Sequence, residues 1–364
     1  MVEAETDNLN LKNTGGSLPV PNVQSLAASK EFTEVPGRYV RPEISSSPVL
    51  DSAAKYGGDI PIIDLSRLDY LQHSQDEILK LGLACEEWGF FQLINHGVPD
   101  KVIETMKVVI EEFFRLPLEE KKVYEQLPGS VEGYGHASVV SEEQKLDWGD
   151  MYFLSTRPVS GRNLKLWPTN PPIFKDALDQ YSEEMQRVAN ILLESIGKSL
   201  KLNKLIDNFK DGLQAVRINY YPPCPQASKV MGLSPHSDAV GLSVLLQVND
   251  VQGLQIKKNS AWLPIKPLPN AFIINLGDII EIMSNGKYKS IEHRAVVNPE
   301  RERLSIVTFH SLRTDAQVGP LQAETQEKSE PFYYKTISFP DYLRMTFAIK
   351  LDGKNRLNYM KLEA

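Results

Sequence analysis

The chain has few cysteines, no excess of positive charge and no long uninterrupted apolar run. Its two cysteines, Cys85 and Cys224, allow one bridge at most, which excludes a disulfide framework and favours a reducing compartment. Acidic residues outnumber Lys and Arg by 47 to 40, so the net charge of −7 offers no electrostatic basis for binding nucleic acid or an anionic membrane. No stretch approaches the roughly 18 consecutive apolar residues that indicate a membrane span.

The N-terminal residues lack the features of a targeting segment. The sequence MVEAETDNLNLKNTGG is acidic and polar, without the basic start and apolar run of a secretory signal. It also lacks the Arg-rich amphipathic character of an organelle transit peptide. We therefore expect a cytoplasmic protein without nucleic-acid or membrane partners. The sequence is silent on oligomeric state, and a monomer is the default expectation.

The patterns that are present divide the chain into four regions. Residues 1–58 are rich in Ser, Pro, Gly and charge, and are predicted to form a loosely ordered arm that docks on the body. Residues 59–210 are largely helical, residues 211–314 are rich in short strands, and residues 315–364 return to loop and helix. A chain of this length is long enough to bury a substantial core.

Two long helices are predicted in the region 59–210. Within Lys101–Arg115, apolar residues recur at three- and four-residue steps and form one apolar stripe. Asp100 is placed to cap the first turn of this helix. A second long helix is predicted over about Pro172–Leu200, with apolar residues at similar spacing.

The region 211–314 carries evenly spaced β-rich runs that are broken by turn signals. The predicted strands are Ala215–Tyr221, Leu242–Gln247, Leu254–Ile256, Trp262–Ile265, Phe272–Ile274, Ile279–Met283, His293–Val297 and Leu304–Phe309. Short strands at such spacing are typical of a closed barrel or jelly roll. Together with the preceding helices they indicate an α+β fold.

Two of these strands carry polar side chains along one face. Because side chains alternate along a strand, every second residue lies on the same face, and in these two strands the opposite face is mainly apolar. The polar-bearing faces consist of Arg217, Asn219 and Tyr221 in one strand, and of Arg303, Ser305, Val307 and Phe309 in the other. Taken alone, each face is as compatible with solvent exposure as with a binding site.

The neighbouring segments favour a metal site. His236 and Asp238 lie two residues apart and point the same way on an extended chain, and His293 follows in the strand-like EHRAVV. Each signal is weak by itself, but two imidazoles and one carboxylate form the facial triad of non-haem iron(II) oxygenases. Arg303 and Ser305 then supply a guanidinium and a hydroxyl for the distal carboxylate of a chelating 2-oxo acid.

The ordered blocks of this sequence resemble the plant-type 2-oxoglutarate and iron(II)-dependent dioxygenases. That family is built on a double-stranded β-helix (jelly-roll) core. The matching blocks are ACEEWGFFQLINHGV at 84–98, LPLEEKK at 116–122, INYYPPCPQ at 218–226, HSD at 236–238, IEHRAVVN at 291–298, RLS at 303–305 and LDGK at 351–354. The segments 132–148 and 266–288 look most like a senescence-related subgroup that also resembles codeine and thebaine demethylases, protopine dealkylase and norcoclaurine-synthase-like proteins.

The resemblance implies roles for individual residues. It implies iron ligation by His236, Asp238 and His293, and binding of 2-oxoglutarate by Arg303 and Ser305 with help from Tyr221 and Asn219. It makes 211–314 the catalytic core for Fe(II) and 2-oxoglutarate, with ascorbate as the expected reductant. Phe309 shares the inward face of Arg303, and the resemblance adds Met151 and Phe153 as substrate contacts.

The C-terminal region 315–364 is expected to include a lid helix around Tyr342, Leu343 and Phe347, for which plain packing is an equal alternative.

The expected function is that of a 2-oxoglutarate-dependent oxygenase. It would hydroxylate or oxidatively O-demethylate a hydrophobic small-molecule plant specialised metabolite, using dioxygen and forming succinate and CO2. Three alternatives stay open: an iron enzyme resembling aminocyclopropane-carboxylate oxidase, a norcoclaurine-synthase-like condensing lyase, and a non-catalytic barrel that only binds. Among the remaining candidates, His96 is expected to be structural, His136 to be at best a pocket wall, and Cys224 to be a packed thiol.

Overall fold

A computed structural model describes residues 18, 20–29, 32–44, 49, 59–68, 74–127, 130–136, 139, 141–202, 204–322, 331–349 and 352–362. The residues of the predicted arm at 1–17 and 50–58 and Leu351 of the LDGK block lie outside these described residues. None of the helices within the described ranges is both long enough and apolar enough to cross a membrane.

The helices and strands follow the predicted change from helix to strand along the chain. The helices are α1 (Val23–Ala28), α2 (Leu65–Leu68), α3 (Ser74–Glu87), α4 (Asp100–Arg115), α5 (Leu118–Lys122), α6 (Phe174–Leu200), α7 (Asp278–Met283), α8 (Phe339–Ala348) and α9 (Asn355–Asn358). The strands are β1 (Ile62–Asp64), β2 (Phe90–Ile94), β3 (Gly133–Gly135), β4 (Asp150–Arg157), β5 (Gln214–Tyr221), β6 (Leu233–His236), β7 (Leu242–Gln247), β8 (Leu254–Lys258), β9 (Ala261–Pro264), β10 (Phe272–Leu276), β11 (His293–Ala295), β12 (Arg303–His310), β13 (Gln317–Val318) and β14 (Ile337–Ser338).

Two sheets face each other and enclose a cavity. The larger has the order β1-β2-β10-β7-β12-β5-β4-β3, and the smaller has the order β6-β11-β8-β9. Apart from the parallel pair β1–β2, the strand pairings of the described residues in both sheets are antiparallel. This is the predicted α+β fold with a double-stranded β-helix core.

The predicted alternation of β5 and β12 is confirmed. Val216 and Ile218 of β5, and Ile306 of β12, are fully buried in the main core, which α4 and α6 share. The opposite face of these strands carries Arg217 and Arg303, whose side chains line the cavity between the sheets. The helical layer therefore buries one face of the large sheet and leaves the other face for a polar site.

The prediction that Ile279–Met283 is a strand is wrong, because these residues form the helix α7. Every residue of α7 is buried, so its sequence IIEIM has no polar face from which the period of a helix could be read. Two backbone N–H groups in its first turn donate to carbonyls of the loop between β6 and β7. The Asp278 N–H donates to the Asp238 carbonyl at 2.7 Å, and the Ile279 N–H donates to the Val240 carbonyl at 3.2 Å.

The predicted capping role of Asp100 is also wrong. Asp100 is itself the first residue of α4, and the capping position is occupied by Pro99, which has no side chain able to accept a hydrogen bond. The Asp100 carboxylate lies in the first turn instead, where a negative charge is favourable beside the helix N-terminus. The helix does have the predicted apolar stripe, and its buried residues include Ile103, Met106 and Ile110.

The described part of the N-terminal arm docks on the rest of the chain through α1, a helix that the sequence pattern does not predict. The backbone N–H groups of Val23 and Gln24 donate to the two carboxylate oxygens of Asp150 at 2.9 and 2.8 Å. Tyr39 packs edge-on against Trp148, with 5.2 Å between ring centroids. The division of the chain into regions at 58, 210 and 314 stays a prediction.

Phe113 on α4 is the centre of an aromatic cluster that joins the helices to the sheet. Its ring is fully buried and stacks on Tyr152 of β4 with 4.8 Å between ring centroids. We expect Phe113→Ala to lower the free energy of unfolding by about 3–5 kcal/mol. On the same helix, Val108 is 47% exposed, and Val108→Ala is expected to stay within about 0.5 kcal/mol of the wild type. Urea unfolding measures both, and equal effects would contradict this account of the core.

Candidate active site

His236, Asp238 and His293 converge at the edge of the small sheet. His236 ends β6 and His293 begins β11, and the two residues are direct partners in the antiparallel pairing. His236 Nε2 lies 3.4 Å and His293 Nε2 lies 3.7 Å from the same oxygen, Asp238 Oδ1. One ligand atom from each of the three residues lies within 4.8 Å of the others, and all three residues are buried.

Hydrogen bonds to backbone carbonyls orient both imidazoles. His236 Nδ1 lies 2.8 Å from the Ser234 carbonyl oxygen, and His293 Nδ1 lies 3.1 Å from that of Ile291. Because a carbonyl only accepts, each Nδ1 carries a proton, and in the neutral ring the lone pair of Nε2 is directed at the site. Burial, reinforced by the nearby His236, lowers the pKa of His293 to about 4, so this ring is neutral at pH 7.

The carboxylate of Asp238 is held with one oxygen free. Its Oδ2 accepts hydrogen bonds from Ser243 Oγ at 2.6 Å and from Asn275 Nδ2 at 2.8 Å, which leaves Oδ1 facing the histidines. Burial by itself would raise the pKa of Asp238. At low pH, where His293 is protonated, its charge and the contacts with His236 and Asn275 outweigh burial, so the pKa of Asp238 lies below its usual range and the group is ionised at pH 7.

These donors fit a divalent iron ion. Two neutral imidazole nitrogens and one carboxylate oxygen on one side of a metal leave coordination positions open, as in the facial triad of non-haem iron oxygenases. The second layer of contacts to Ser234, Ile291, Ser243 and Asn275 is of the kind that fixes the orientation of metal ligands.

Arg303 is a buried cation without a carboxylate partner among the described residues. The residue is 2% exposed, its Nη2 donates to Gln247 Oε1 at 3.0 Å, and its Nε has no partner. Burial lowers the pKa of Arg303, while the adjacent Tyr221 acts in the opposite direction. An unpaired buried charge costs several kcal/mol, so this position calls for an anion. Beside it, Asn219 Nδ2 donates to Ser305 Oγ at 3.4 Å.

One inner cavity contains both the triad and Arg303. Its apolar walls are formed by side chains from both sheets: Phe90, Leu233, Leu245, Leu254, Ala295, Val307 and Phe309. It shares Arg217, Asn219, Tyr221 and Leu233 with an outer cleft of about 850 Å³. The outer cleft also has many charged residues in its walls, among them Arg41, Asp147, Lys257, Glu292 and Lys354.

The three predicted substrate contacts take different positions. Phe309 lines the inner cavity, and Met151 lines the outer cleft. Phe153 lies beside them, with its ring stacked on that of Phe309 at 6.4 Å between centroids. Their role in substrate binding stays a prediction. In α8, Tyr342 and Leu343 are buried against the main core, which is the plain-packing alternative to a lid.

The remaining candidates have structural surroundings. His96 Nδ1 accepts from the Val98 N–H at 3.1 Å and its Nε2 donates to the Asn270 carbonyl at 3.2 Å, so both ring nitrogens are used by the backbone. His136 lines the outer cleft, with its Nε2 3.4 Å from Asp150 Oδ1. Cys224 is a buried free thiol whose pKa is raised by burial.

Sequence reasoning missed Ser243, Asn275 and Gln247, which position Asp238 and Arg303. The sequence features that could have identified these three residues are weak. Asn275 is a polar residue inside the buried run FIINL of β10, which is an unusual place for an amide. Ser243 and Gln247 lie on one face of β7, but short polar residues in a strand carry no indication of their partner.

The fold and this site define a non-haem iron oxygenase, and comparison with known proteins gives the family. Residues 212–312 match the 2OG-Fe(II) oxygenase superfamily, and residues 60–170 match the family described as non-haem dioxygenase in morphine synthesis N-terminal. The chain belongs to the 2OG-Fe(II) oxygenase superfamily. It is an Fe(II)- and 2-oxoglutarate-dependent dioxygenase, as the resemblance implied.

Its relatives include plant enzymes that match over nearly the whole chain. It is 51% identical to S-norcoclaurine synthase 1 of Coptis japonica, over 97% of this chain and 99% of that protein. It is 42% identical to codeine O-demethylase of Papaver somniferum, over 96% and 98%. A crystal structure of JOX2 in complex with 2OG, Fe and JA is 35% identical, with a TM-score of 0.85 over 96% of this chain and 100% of the other.

Removal of a single donor to Asp238 tests the arrangement of the metal site. We expect Ser243→Ala to weaken Fe(II) binding by about 10–100-fold, because the Asp238 carboxylate loses one of the two hydrogen bonds that orient it. Anaerobic Fe(II) titration measures the affinity. Ser155→Ala is the control, since the Ser155 hydroxyl forms no hydrogen bond with a described residue, and it should bind iron as the wild type does. Equal affinities of all three proteins would show that Ser243 does not orient the ligand.

Proposed function

We propose that this dioxygenase oxidises a hydrophobic small-molecule plant specialised metabolite by hydroxylation or O-demethylation. In this proposal His236, Asp238 and His293 hold the iron, and Arg303 with Ser305 binds the distal carboxylate of 2-oxoglutarate. The observation that supports it best is the buried, anion-free guanidinium of Arg303 in the same cavity as the triad.

The residues of the chain bind and orient the reactants. Arg303 offers two parallel N–H donors that match a carboxylate, and Ser305 adds a hydroxyl from the same strand face. The Tyr221 ring lies against the Arg303 guanidinium, whose central carbon is 5.3 Å from the ring centroid. Asn219 donates a hydrogen bond to the Ser305 hydroxyl. When bound, iron and 2-oxoglutarate supply the oxidising power that activates dioxygen, yields succinate and CO2, and delivers oxygen to a C–H bond of the substrate.

The walls near the metal favour an apolar, ring-containing substrate. Phe309 and Phe153 form a stacked aromatic pair, and Val307 and Leu245 extend the apolar surface. Relatives named as codeine O-demethylase and as oxoglutarate-dependent flavonoid 7-O-demethylase support O-demethylation as the reaction. Hydroxylation of an O-methyl carbon gives a hemiacetal that loses formaldehyde, so hydroxylation and demethylation follow from the same oxidation.

A condensing activity is the second candidate, because the relative with 51% identity is named S-norcoclaurine synthase 1. A condensing lyase would form its product without dioxygen and without succinate. An oxidase resembling aminocyclopropane-carboxylate oxidase would use iron and dioxygen but not 2-oxoglutarate. Measurement of succinate from 2-oxoglutarate, with and without dioxygen, across a panel of plant metabolites separates these alternatives. Absence of oxygen-dependent succinate across the panel would contradict the proposal.

The setting of the enzyme is proposed from composition. We expect it to act as a cytoplasmic monomer on small molecules and dioxygen, without nucleic-acid or membrane partners, with ascorbate keeping the iron reduced. The mildly acidic charge balance of −7 supports the lack of nucleic-acid and membrane partners.

Arg303 and Arg301 provide a matched pair for testing the 2-oxoglutarate site. Arg303→Met should weaken 2-oxoglutarate binding by about 100-fold or more, because a buried carboxylate loses its charge partner. Arg301 is exposed and ion-paired with Asp250, so Arg301→Met should leave binding unchanged. Equilibrium dialysis of labelled 2-oxoglutarate, with Mn(II) in place of iron, measures both affinities. Similar affinity in the two variants would remove Arg303 from the proposed role.

A further inference from the structure

Glu281 of α7 is a buried carboxylate that accepts hydrogen bonds from three separate segments of the chain. The residue is 5% exposed. Its Oε2 accepts from the Ser290 N–H and from the Lys354 ammonium, both at 2.7 Å. Its Oε1 accepts from the Tyr334 hydroxyl at 3.0 Å. The carboxylate therefore connects α7 to the loop before β11 and to two segments of the C-terminal region.

The segment that carries Lys354 also contacts the strand that ends at His236. Gly353 forms a parallel bridge with His236. The Gly353 N–H donates to the Pro235 carbonyl at 2.9 Å, and the Gly353 carbonyl accepts from the Ser237 N–H at 3.2 Å. Both residues that flank His236 are thus bonded to one glycine. Because Lys354 is the next residue, its ion pair with α7 anchors this contact.

The segments that carry the other two triad residues are also bonded to α7. The Asp278 N–H in the first turn of α7 donates to the Asp238 carbonyl at 2.7 Å, and Glu281 follows within the same helix. Ser290, whose N–H the Glu281 carboxylate accepts, precedes His293 by three residues. The carbonyl that orients the His293 imidazole belongs to the residue directly after Ser290. One carboxylate is therefore connected to all three triad segments by short routes.

The ion pair between Lys354 and Glu281 lies between the outer cleft and this support. The Lys354 side chain is 31% exposed and lines the outer cleft, whereas the Glu281 side chain is 6% exposed. Loss of the cation would leave a buried carboxylate without its charge partner, which is costly. Replacement of Lys354 removes that charge without opening a cavity in the core, because its side chain reaches the carboxylate from the cleft wall.

We propose that Glu281 is a positioning residue for the metal site, and that its ion pair with Lys354 fixes the relative placement of the three ligands. The inference rests on the proposed function, in which His236, Asp238 and His293 hold the iron. Glu281 does not contact the metal position itself. It acts through the backbone of the segments that carry the ligands, so that less of the metal-binding free energy is spent on ordering them.

Fe(II) affinity and the visible absorption of the Co(II)-loaded protein test the proposal, because the absorption bands of Co(II) depend on the arrangement of its ligands. Lys354→Met should weaken Fe(II) binding by about tenfold and change the Co(II) bands. Lys354→Arg, which keeps the charge, should behave as the wild type. Glu281→Gln keeps an oxygen for the backbone N–H but loses the charge, and it should match Lys354→Met.

A double variant distinguishes positioning from stabilisation of the fold. If Lys354 acts through Glu281, the combination of Lys354→Met with Glu281→Gln should bind Fe(II) within about twofold of either single variant. Lys198→Met, in the exposed ion pair with Glu194 on α6, is the control and should match the wild type in affinity and in Co(II) bands. Thermal unfolding of each variant reports the stability of the fold separately.

The inference is overturned if folded Lys354→Met has the Fe(II) affinity and the Co(II) bands of the wild type, even with a lower unfolding temperature. It is also overturned if the losses of affinity in the two single variants add in the double variant. Lys354→Met decides alone if Glu281→Gln does not fold. Failure of the wild type to bind one metal ion per chain would instead overturn the proposed function.

Discussion

The structure depends on the ionised carboxylate of Asp238, which is buried beside the imidazoles of His236 and His293. Such a charge is costly inside a protein unless its oxygens are satisfied, and here Ser243 and Asn275 hold one oxygen while the other faces the metal position. The antiparallel pairing of His236 with His293 brings two distant segments of the chain to this carboxylate. Both histidines use Nδ1 for backbone carbonyls, so the loop geometry determines which nitrogen faces the metal.

The alternation of side chains along β5 and β12 extends this arrangement across the cavity. One face of these strands belongs to the core shared with α4 and α6, and the opposite face carries the guanidinium and hydroxyl groups. Close packing of Phe113 and its aromatic neighbours keeps the large sheet fixed relative to the helices. Arg303 is thereby held buried on the cavity side of the sheet, where pairing with a carboxylate would offset the cost of burying its charge.

Much of the site was predictable, because its chemistry follows from residue type and spacing. The triad and Arg303 with Ser305 were found from an HxD triplet, a strand histidine and a two-residue period. Positions fixed by tertiary contact were not found: α7 is buried on every side and reads as a strand, and Asn275 meets Asp238 only in the folded chain. The charged outer cleft combines residues from the arm, the body and the C-terminal segment, such as Arg41, Lys257 and Lys354, and no local pattern joins them.

The Fe(II) affinity of four single variants, measured by anaerobic titration, tests the shared metal site most directly. We expect one iron per chain in the wild type, and at least a 100-fold loss of affinity in each of His236→Ala, Asp238→Ala and His293→Ala. His96→Ala should bind iron normally, because both of its ring nitrogens already bond to the backbone. Wild-type affinity in any one of the first three variants would contradict the claim that these side chains share one metal.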